Sequence, residues 1–228
     1  MTSPPASGSS AGTTPTPGSA TPTGTDVPLI RRFGRTERAV HWVHAAAFFA
    51  LLATGLVLLV PDLAALVARR NLVKNVHLFT AVAWAAALVA IVAVGNRRRL
   101  AALWREAETI DSDDRRWLTG RRAPQGRLNA GQKLNLLLTA ALAVVFTVSG
   151  FFLWLGERDH TFLLDGAGTV HDVATYASIV LVTGHLYLAL VHPTTRHALR
   201  GMVRGDVRED WAERHHEKWV AAERERAG

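Results

Sequence analysis

The chain has 228 residues, of which 49% are apolar, and it carries a formal net charge of +7. The apolar residues are concentrated in four blocks separated by charged segments, which is typical of a membrane protein and disfavours a soluble globular fold or a DNA-binding role. The absence of cysteine excludes thiolate-bound iron–sulfur clusters and covalent c-type haem attachment within this chain, and leaves histidine as the main candidate metal ligand.

Residues 1–28 are rich in Ser, Thr, Pro, Gly and Ala. Such a segment buries too little apolar surface to fold, so we predict a disordered leader. It lacks a basic stretch followed by an apolar core, and we therefore do not expect a cleavable signal peptide.

Four apolar segments follow the leader, at residues 39–60, 75–95, 134–156 and 170–192. Each is close to the ~20 residues that an α-helix needs to cross the hydrocarbon core of a bilayer. The sequence therefore predicts an all-α membrane protein, a four-helix transmembrane bundle. We place the bundle domain at residues 29–199 and a cytoplasmic amphipathic tail at residues 200–228.

Lys and Arg are distributed unevenly among the segments outside the spans. Four precede the first span, ten lie between the second and third, and eight follow Pro193, whereas the two remaining segments hold four together. With four spans, the three basic segments lie on one side of the membrane, and the positive-inside rule assigns that side to the cytoplasm. We therefore expect both termini to be cytoplasmic.

The spans contain histidines at two depths. His41 lies at the cytoplasmic end of the first span, His77 at the outer end of the second, and the fourth carries His171 near its outer end and His185 further inward. The last two are 14 residues apart, which separates them by about 21 Å along a helix but by only about 40° around it. His41 therefore matches His185 in depth near the inner face, and His77 matches His171 near the outer face.

Two histidine pairs at two depths suit the axial ligation of two b-type haems, because neutral imidazole is a good ligand to haem iron. A proton or metal pathway and purely structural histidines are the alternatives. His44 is an alternative ligand to His41, since it lies three residues further on nearly the same helix face. We expect His192 to be interfacial or near a quinone head group. The histidines outside the spans are expected on the solvated surface: His160, His197, His215 and His216.

Small and polar residues add two further expectations. Glycines inside the spans permit the close approach of a helix or a flat macrocycle: Gly55, Gly150 and Gly184. The segment LNAGQKLN precedes the third span, where Asn129, Gly131 and Gln132 offer amide and backbone donors for a quinone carbonyl. The alternative is that this segment is a turn that caps the third helix. The tail alternates basic and acidic residues around Trp211 and Trp219, which predicts a solvated helix at the inner surface.

These motifs together resemble the cytochrome b (gamma) subunit of membrane-bound respiratory formate dehydrogenases, over about residues 31–219. The similar segments are RFGRTERAVHW, NVHLF, LNAGQKLN, VHDVAT, GHLYLALVHP and RGMVRGDVREDWAERHHEKW. The NAGQK loop and the tail pattern WA-x-x-HH-x-x-W are the most specific, whereas the histidine pattern is shared with other four-helix cytochromes b. The first 28 residues and the extra His44 depart from the family pattern.

The resemblance implies two b haems, an inner one ligated by His41 and His185 and an outer one ligated by His77 and His171. It also implies that catalytic and iron–sulfur subunits face the outside and that electrons move inward. The expected partners are an iron–sulfur beta subunit and a molybdenum- or tungsten-containing alpha subunit that carries out the formate oxidation.

The resemblance further implies a menaquinone or ubiquinone site at the cytoplasmic end, near Asn129, Gly131 and Gln132. We therefore expect an electron-transfer subunit of the bacterial inner membrane that passes electrons from an iron–sulfur partner to a quinone. One alternative is the cytochrome b subunit of a hydrogenase or of another quinone-reducing oxidoreductase. An alternative of another class is a non-haem transporter or proton channel.

Overall fold

The structure, a computed structural model, describes Met1, residues 27–162 and residues 164–228, so the predicted disordered leader lies almost wholly outside the described residues. Two short strands and ten α-helices follow one another along that part of the chain. They are β1 (Leu29–Arg31), α1 (Arg35–Leu59), α2 (Pro61–Val67), α3 (Arg70–Val94), α4 (Arg97–Glu108), α5 (Ser112–Leu118), α6 (Ala130–Arg158), α7 (Ala167–Leu186), α8 (Leu199–Val203), β2 (Asp206–Arg208), α9 (Glu209–His215) and α10 (Glu217–Ala227). Single 3₁₀ turns lie at His160–Phe162 and Arg196–Ala198, and a π-helical turn at Tyr187–Val191 extends α7.

Four of these helices are long and apolar enough to cross a membrane: α1, α3, α6 and α7 with its π-helical turn. They confirm the four predicted spans and the predicted four-helix membrane fold. Each begins a few residues earlier than predicted, and in α1, α3 and α6 the first turn includes polar residues. The carboxylate of Glu37, for example, accepts a hydrogen bond from the N–H of Gly34 at the start of α1, over 2.5 Å.

The four spanning helices form two antiparallel pairs. α1 packs along α3, and α6 packs along α7. Among the described residues, no other two of these four helices pack together as closely. The two pairs therefore meet through side chains more than through close backbone contact, and this interface contains the predicted histidines.

A folded cap covers one end of the bundle. It consists of residues 27–34, 95–129 and 192–228, and we refer to it as the terminal cap and to its end of the bundle as the terminal end; the opposite end is the loop end. Strand β1 pairs antiparallel with β2, with Ile30 opposite Val207. The backbone N–H groups of Arg32 and Phe33 both donate to the carbonyl of Gly205. Gly205 has a φ of 95°, and a Cβ there would lie 2.8 Å from the carbonyl oxygen of Phe33, so this turn requires glycine.

Two small cores hold the cap together. One consists of Val207, Trp211, Ala212, Trp219 and Val220. The other consists of Phe33, Ala107 and Leu128, which pack against side chains of α6. The N-terminal segment, the middle segment and the tail thus form one structure at one end of the bundle. Whether this end faces the cytoplasm stays a prediction.

The structure corrects two expectations about the tail. It is not a single solvated helix, because a strand and three short helices fold back onto the N-terminal and middle segments. His216 is not a surface residue, because it is only 1% exposed and its Nδ1 lies 2.7 Å from the carbonyl oxygen of Gly126. His160 and His197 are exposed as predicted, and His215 is half-buried, with its ring stacked on Trp211 at 5.0 Å.

Candidate functional site

The terminal-end histidine pair consists of His41 and His185. His41 lies in the second turn of α1, and His185 lies at the end of α7, just before the π-helical turn. Their ring centroids are 6.2 Å apart, with an angle of 58° between the ring planes. The two side chains therefore face one another across the interface between the two helix pairs.

The loop-end pair consists of His77 and His171. His77 comes from the third turn of α3 and His171 from the second turn of α7. Their ring centroids are 6.3 Å apart and their planes are inclined at 66°. The structure thus brings together the same two pairs that depth-matching along the sequence predicted.

His44 lies beside aromatic side chains and not opposite a histidine of α7. Its ring lies 5.7 Å from that of Trp84 and 6.3 Å from that of Phe48. His41, rather than His44, is the α1 histidine opposite His185 in the structure. The sequence left open whether His41 or His44 is the ligand, and this geometry supports His41.

Both pairs have the spacing that a haem iron with two axial imidazoles requires. An imidazole nitrogen binds a first-row metal ion at about 2.0–2.1 Å, and the ring centre lies about 1 Å further away, so two opposed rings have centroids about 6 Å apart. The observed separations are 6.2 and 6.3 Å. Among the described residues, no three His, Cys, Asp or Glu side chains converge as they would for a bare metal ion. The residues present therefore fit two bis-histidine haems.

Two hydroxyl groups contact the loop-end histidines. Oγ1 of Thr54 on α1 lies 2.8 Å from Nδ1 of His77, and Oγ of Ser149 on α6 lies 2.9 Å from Nδ1 of His171. Neither residue was predicted from the sequence. The available signal is that each hydroxyl residue directly precedes a glycine for which a close approach was predicted, Gly55 or Gly150.

Those glycines lie against the same imidazoles. A Cβ on Gly55 would be 3.5 Å from Cε1 of His77, and a Cβ on Gly150 would be 3.4 Å from Cε1 of His171. The expected close approach thus occurs at both positions, and the approaching group is a histidine ring. At Gly184 a Cβ would meet no described atom within 4 Å.

The NAGQK segment forms the N-terminus of α6. Oδ1 of Asn129 accepts from the N–H of Gln132 at 2.9 Å, and Oε1 of Gln132 accepts from the N–H of Asn129 at 3.2 Å. This reciprocal capping box shows that the segment is a helix-capping turn, the alternative stated above. Because both amide oxygens are engaged, the two NH₂ groups remain as donors, so capping does not exclude quinone binding.

Gly131 has a packing role at the same helix start. A Cβ there would lie 3.2 Å from the ring of Trp117, which belongs to α5. A larger residue would push α5 away from α6. Lys133, two residues further on, forms a buried ion pair with Asp114 of α5 over 2.6 Å. Trp117 and Asp114 therefore fix the N-terminal turn of α6 from one side.

Arg32 fixes the capping turn from the other side. Its Nη2 donates to Oε1 of Gln132 at 2.9 Å and to the carbonyl of Arg127 at 2.6 Å. The guanidinium is buried and lies 5.1 Å from the Phe33 ring and 5.5 Å from the Trp211 ring. Burial, and then the positive charge of Arg127, lower the pKa of Arg32 to about 9. Its Nη1 has no hydrogen-bond partner within the described chain.

The capping turn lies at the same end of the bundle as the His41–His185 pair. Glu37 in the first turns of α1 forms an ion pair with Arg127 over 3.0 Å. Trp42, whose ring lies 5.1 Å from that of His41, donates from Nε1 to the carbonyl of Met202 at 2.9 Å. The terminal cap therefore contacts the helix that carries His41. Among the described residues, no hydrogen bond or ion pair joins the capping turn to His41 or His185.

His216 is a second buried group that sequence reasoning missed. Burial, with the nearby charge of Arg32 as a smaller cause, lowers the pKa of His216 to about 3. Its partner carbonyl, on Gly126, can only accept, so Nδ1 of His216 carries the hydrogen. The ring thus joins the tail to the middle segment in its neutral form.

Comparisons with known proteins found similar sequences. The family described as prokaryotic cytochrome b561 matches residues 32–205. A formate dehydrogenase cytochrome b556 subunit of Haemophilus influenzae is 27% identical over 211 residues, which cover 85% of this chain and 83% of the relative. The formate dehydrogenase cytochrome b556(fdo) subunit of Escherichia coli is 27% identical over 204 residues, covering 83% and 91%. The nitrate-inducible formate dehydrogenase cytochrome b556(Fdn) subunit of Escherichia coli is 23% identical, covering 84% and 90%.

Proposed function

Since the chain belongs to the prokaryotic cytochrome b561 family, we propose that it is the membrane-anchoring, electron-carrying subunit of a formate dehydrogenase that reduces a quinone. The family and the four spanning helices make it a multi-pass protein of the bacterial inner membrane. The relatives named as formate dehydrogenase subunits match it over most of their length, which supports formate as the source of the electrons.

The observation that carries the proposal is the presence of two opposed histidine pairs at two levels of one bundle. In the proposed holoprotein, His41 and His185 hold one b haem, and His77 and His171 hold the other. A haem held by two imidazoles would supply one-electron transfer rather than oxygen binding. The protein would hold the imidazoles from both helix pairs.

The quinone is proposed to bind at the start of α6. The amide NH₂ groups of Asn129 and Gln132 are available as donors to a quinone carbonyl, because the capping box occupies their oxygens. Arg32 contributes a buried positive charge behind Gln132, which favours negative charge on a bound quinone as it accepts electrons. Gly131 keeps Trp117 close to the same turn.

The direction of transfer follows from the distribution of charge. We place the terminal end in the cytoplasm, because it holds the basic segments, and the loop end outside. Electrons then enter at the loop end from an iron–sulfur beta subunit that is itself supplied by a molybdenum- or tungsten-containing alpha subunit. The quinone takes up its protons from the cytoplasm. Inward movement of an electron stores about 2.3 kcal/mol per 100 mV of membrane potential.

The test is the haem content and redox spectrum of the purified chain and two variants. We expect two haems per chain in the wild type. His185→Ala should lose the terminal-end haem and His171→Ala the loop-end haem, each keeping the other. A wild-type protein without haem, or variants that both retain the full haem content, would refute the ligand assignment. Subunits recovered with the tagged chain then distinguish a formate dehydrogenase from a hydrogenase or another oxidoreductase.

A further inference from the structure

We propose that Thr54 and Ser149 are positioning residues that hold His77 and His171 in the tautomer that binds iron through Nε2, and that they lower the reduction potential of the loop-end haem. The inference rests on the proposed function, because it assumes a haem at each histidine pair. The inference goes beyond the proposed function in two respects. It assigns a role to two residues that are not ligands, and it predicts that the two haems differ in reduction potential.

The direction of the hydrogen bond at Ser149 follows from the single hydrogen of its hydroxyl. Its Oγ donates to the carbonyl of Val145, one turn earlier in α6, over 2.6 Å. Only lone pairs then remain for Nδ1 of His171, which lies 2.9 Å away. The imidazole must therefore donate, so its hydrogen is on Nδ1 and Nε2 has a free lone pair.

Thr54 forms the same arrangement on a different helix. Its Oγ1 donates to the carbonyl of Ala50 over 2.8 Å and lies 2.8 Å from Nδ1 of His77. The hydrogen of His77 is therefore also on Nδ1. Both rings of the loop-end pair present a bare Nε2, which is the nitrogen that can bind an iron between them.

The bond from a hydroxyl to its own helix is not in itself unusual. Thr147 and Thr183 also donate to the carbonyl four residues earlier, and neither hydroxyl makes a described hydrogen bond to a histidine. Thr54 and Ser149 differ because the glycine after each lies against an imidazole ring. Thr147 is followed by Val148, and a Cβ on Gly184, which follows Thr183, would meet no described atom within 4 Å. A hydroxyl–glycine pair that contacts an imidazole thus occurs once in α1 and once in α6, each time at a histidine of the loop-end pair.

The terminal-end pair lacks this support. Within the described part of the chain, no side-chain hydroxyl or carbonyl accepts a hydrogen bond from His41 or His185. An imidazole that donates its second N–H is a more basic ligand. A more basic ligand stabilises ferric iron over ferrous iron, so the loop-end haem should have the lower potential. Electrons that enter at the loop end are then driven towards the terminal end.

The experiment is a potentiometric titration of the purified holoprotein, followed at the haem absorption bands. The His171→Ala variant identifies the loop-end step, because that step disappears in it. We expect Thr54→Val and Ser149→Ala each to move the loop-end step to a more positive potential and to leave the other step in place. Loss of such a partner also weakens metal binding by about 10- to 100-fold, so weaker haem binding at the loop-end site should accompany the shift. Thr54→Ser keeps the hydroxyl and should restore the wild-type potential.

Thr147→Val is the matched control, since it removes a hydroxyl with the same bond to its own helix in α6 but no histidine contact. The proposal is overturned if neither Thr54→Val nor Ser149→Ala moves the loop-end step, or if Thr147→Val moves it equally. Thr54 and Ser149 lie on different helices, so poor folding of one variant still leaves the other as a test. A wild type without two titrating steps contradicts the proposed function itself and is seen before any variant is made.

Discussion

Arg32 and Gln132 are joined by a hydrogen bond of 2.9 Å between residues 100 positions apart. Oε1 of Gln132 accepts this bond and also caps α6 through the N–H of Asn129. Its NH₂ group is therefore turned away from the helix, in one orientation. The buried guanidinium of Arg32, which lies outside the spans, thus helps to determine that the NH₂ group of Gln132, and not its oxygen, remains available to a quinone.

Gln132→Met should weaken quinone reduction without removing haem. The substitution deletes one donor worth roughly 1 kcal/mol, so we expect the KM for quinone to rise about 5- to 10-fold. Arg32→Lys should cause a similar change, because a lysine keeps the charge but not the fixed pair of donors. Steady-state quinone reduction and the level of reduced haem measure the effect, since electrons should accumulate on the haems.

Arg122→Lys is the control for this pair of variants, because Arg122 also lies in the terminal cap but its side chain is 87% exposed. It should leave the KM unchanged. A Gln132→Met protein with wild-type KM would place the quinone elsewhere, and loss of haem in that variant would indicate a structural role.

His41→Ala should remove half of the haem, whereas His44→Ala should keep both haems. The reason is that His41 faces His185, while His44 packs beside Trp84 and Phe48. Haem per chain, determined from the reduced spectrum and the protein concentration, measures the outcome. The reverse result would identify His44 as the ligand and require a different rotation of α1 in the holoprotein.

The spans and the pairing of histidines could be predicted because they depend on local patterns. An apolar run of about 20 residues has few alternatives to crossing a membrane. The spacing of His171 and His185 fixes their relative depth in any straight helix, and matching these depths selected His41 and His77. His44 could not be excluded in this way, because helical periodicity places it near His41 and only the side-chain directions in the structure separate them.

The terminal cap could not be predicted, because its burial depends on contacts between distant segments. Arg32 and His216 lie in polar stretches that are typical of a solvated surface, yet both are buried where the N-terminal segment, the middle segment and the tail meet. Thr54 and Ser149 were missed for a related reason. Hydroxyl residues are common in spanning helices, and only the position of the neighbouring helix reveals the histidine contact.

Lys133→Met should strongly destabilise the chain. It leaves the carboxylate of Asp114 buried and unpaired, although this group still accepts the N–H of Asp111 at 3.0 Å. Breaking one side of a buried ion pair costs about 3–5 kcal/mol. The double variant Lys133→Met with Asp114→Asn removes both charges, keeps an acceptor for Asp111 and should recover most of the loss.

Unfolding in detergent measures this effect, and Lys74→Met is the control. Lys74 pairs with Glu157 at the loop end, where both side chains are about half exposed, so its loss should cost less than about 1 kcal/mol. If the double variant were as unstable as Lys133→Met, the cause would be lost packing of the lysine stem and not the unpaired charge.

His216 should make the terminal cap sensitive to mild acid. Its pKa is 6.5 in an exposed state and falls to about 3 on folding, so the folded chain resists protonation of this ring. The unfolded chain binds more protons in this range, and stability therefore decreases as the pH falls below about 6.5. The loss approaches about 1.4 kcal/mol per pH unit and stops near the folded-state value.

His216→Gln is the variant that isolates this contribution, because an amide can still donate to the carbonyl of Gly126 but does not titrate. Unfolding of both proteins between pH 7.5 and pH 5 should show a steeper loss of stability in the wild type. The other histidines titrate in both proteins, so their contribution cancels in the difference between the two stabilities at each pH. At pH 7.5 the variant should be the less stable one, since it loses ring contacts with Trp211 and Trp219, whose centroids lie 5.2 and 6.3 Å away. Parallel pH profiles would show that protonation of His216 does not limit the stability of the cap.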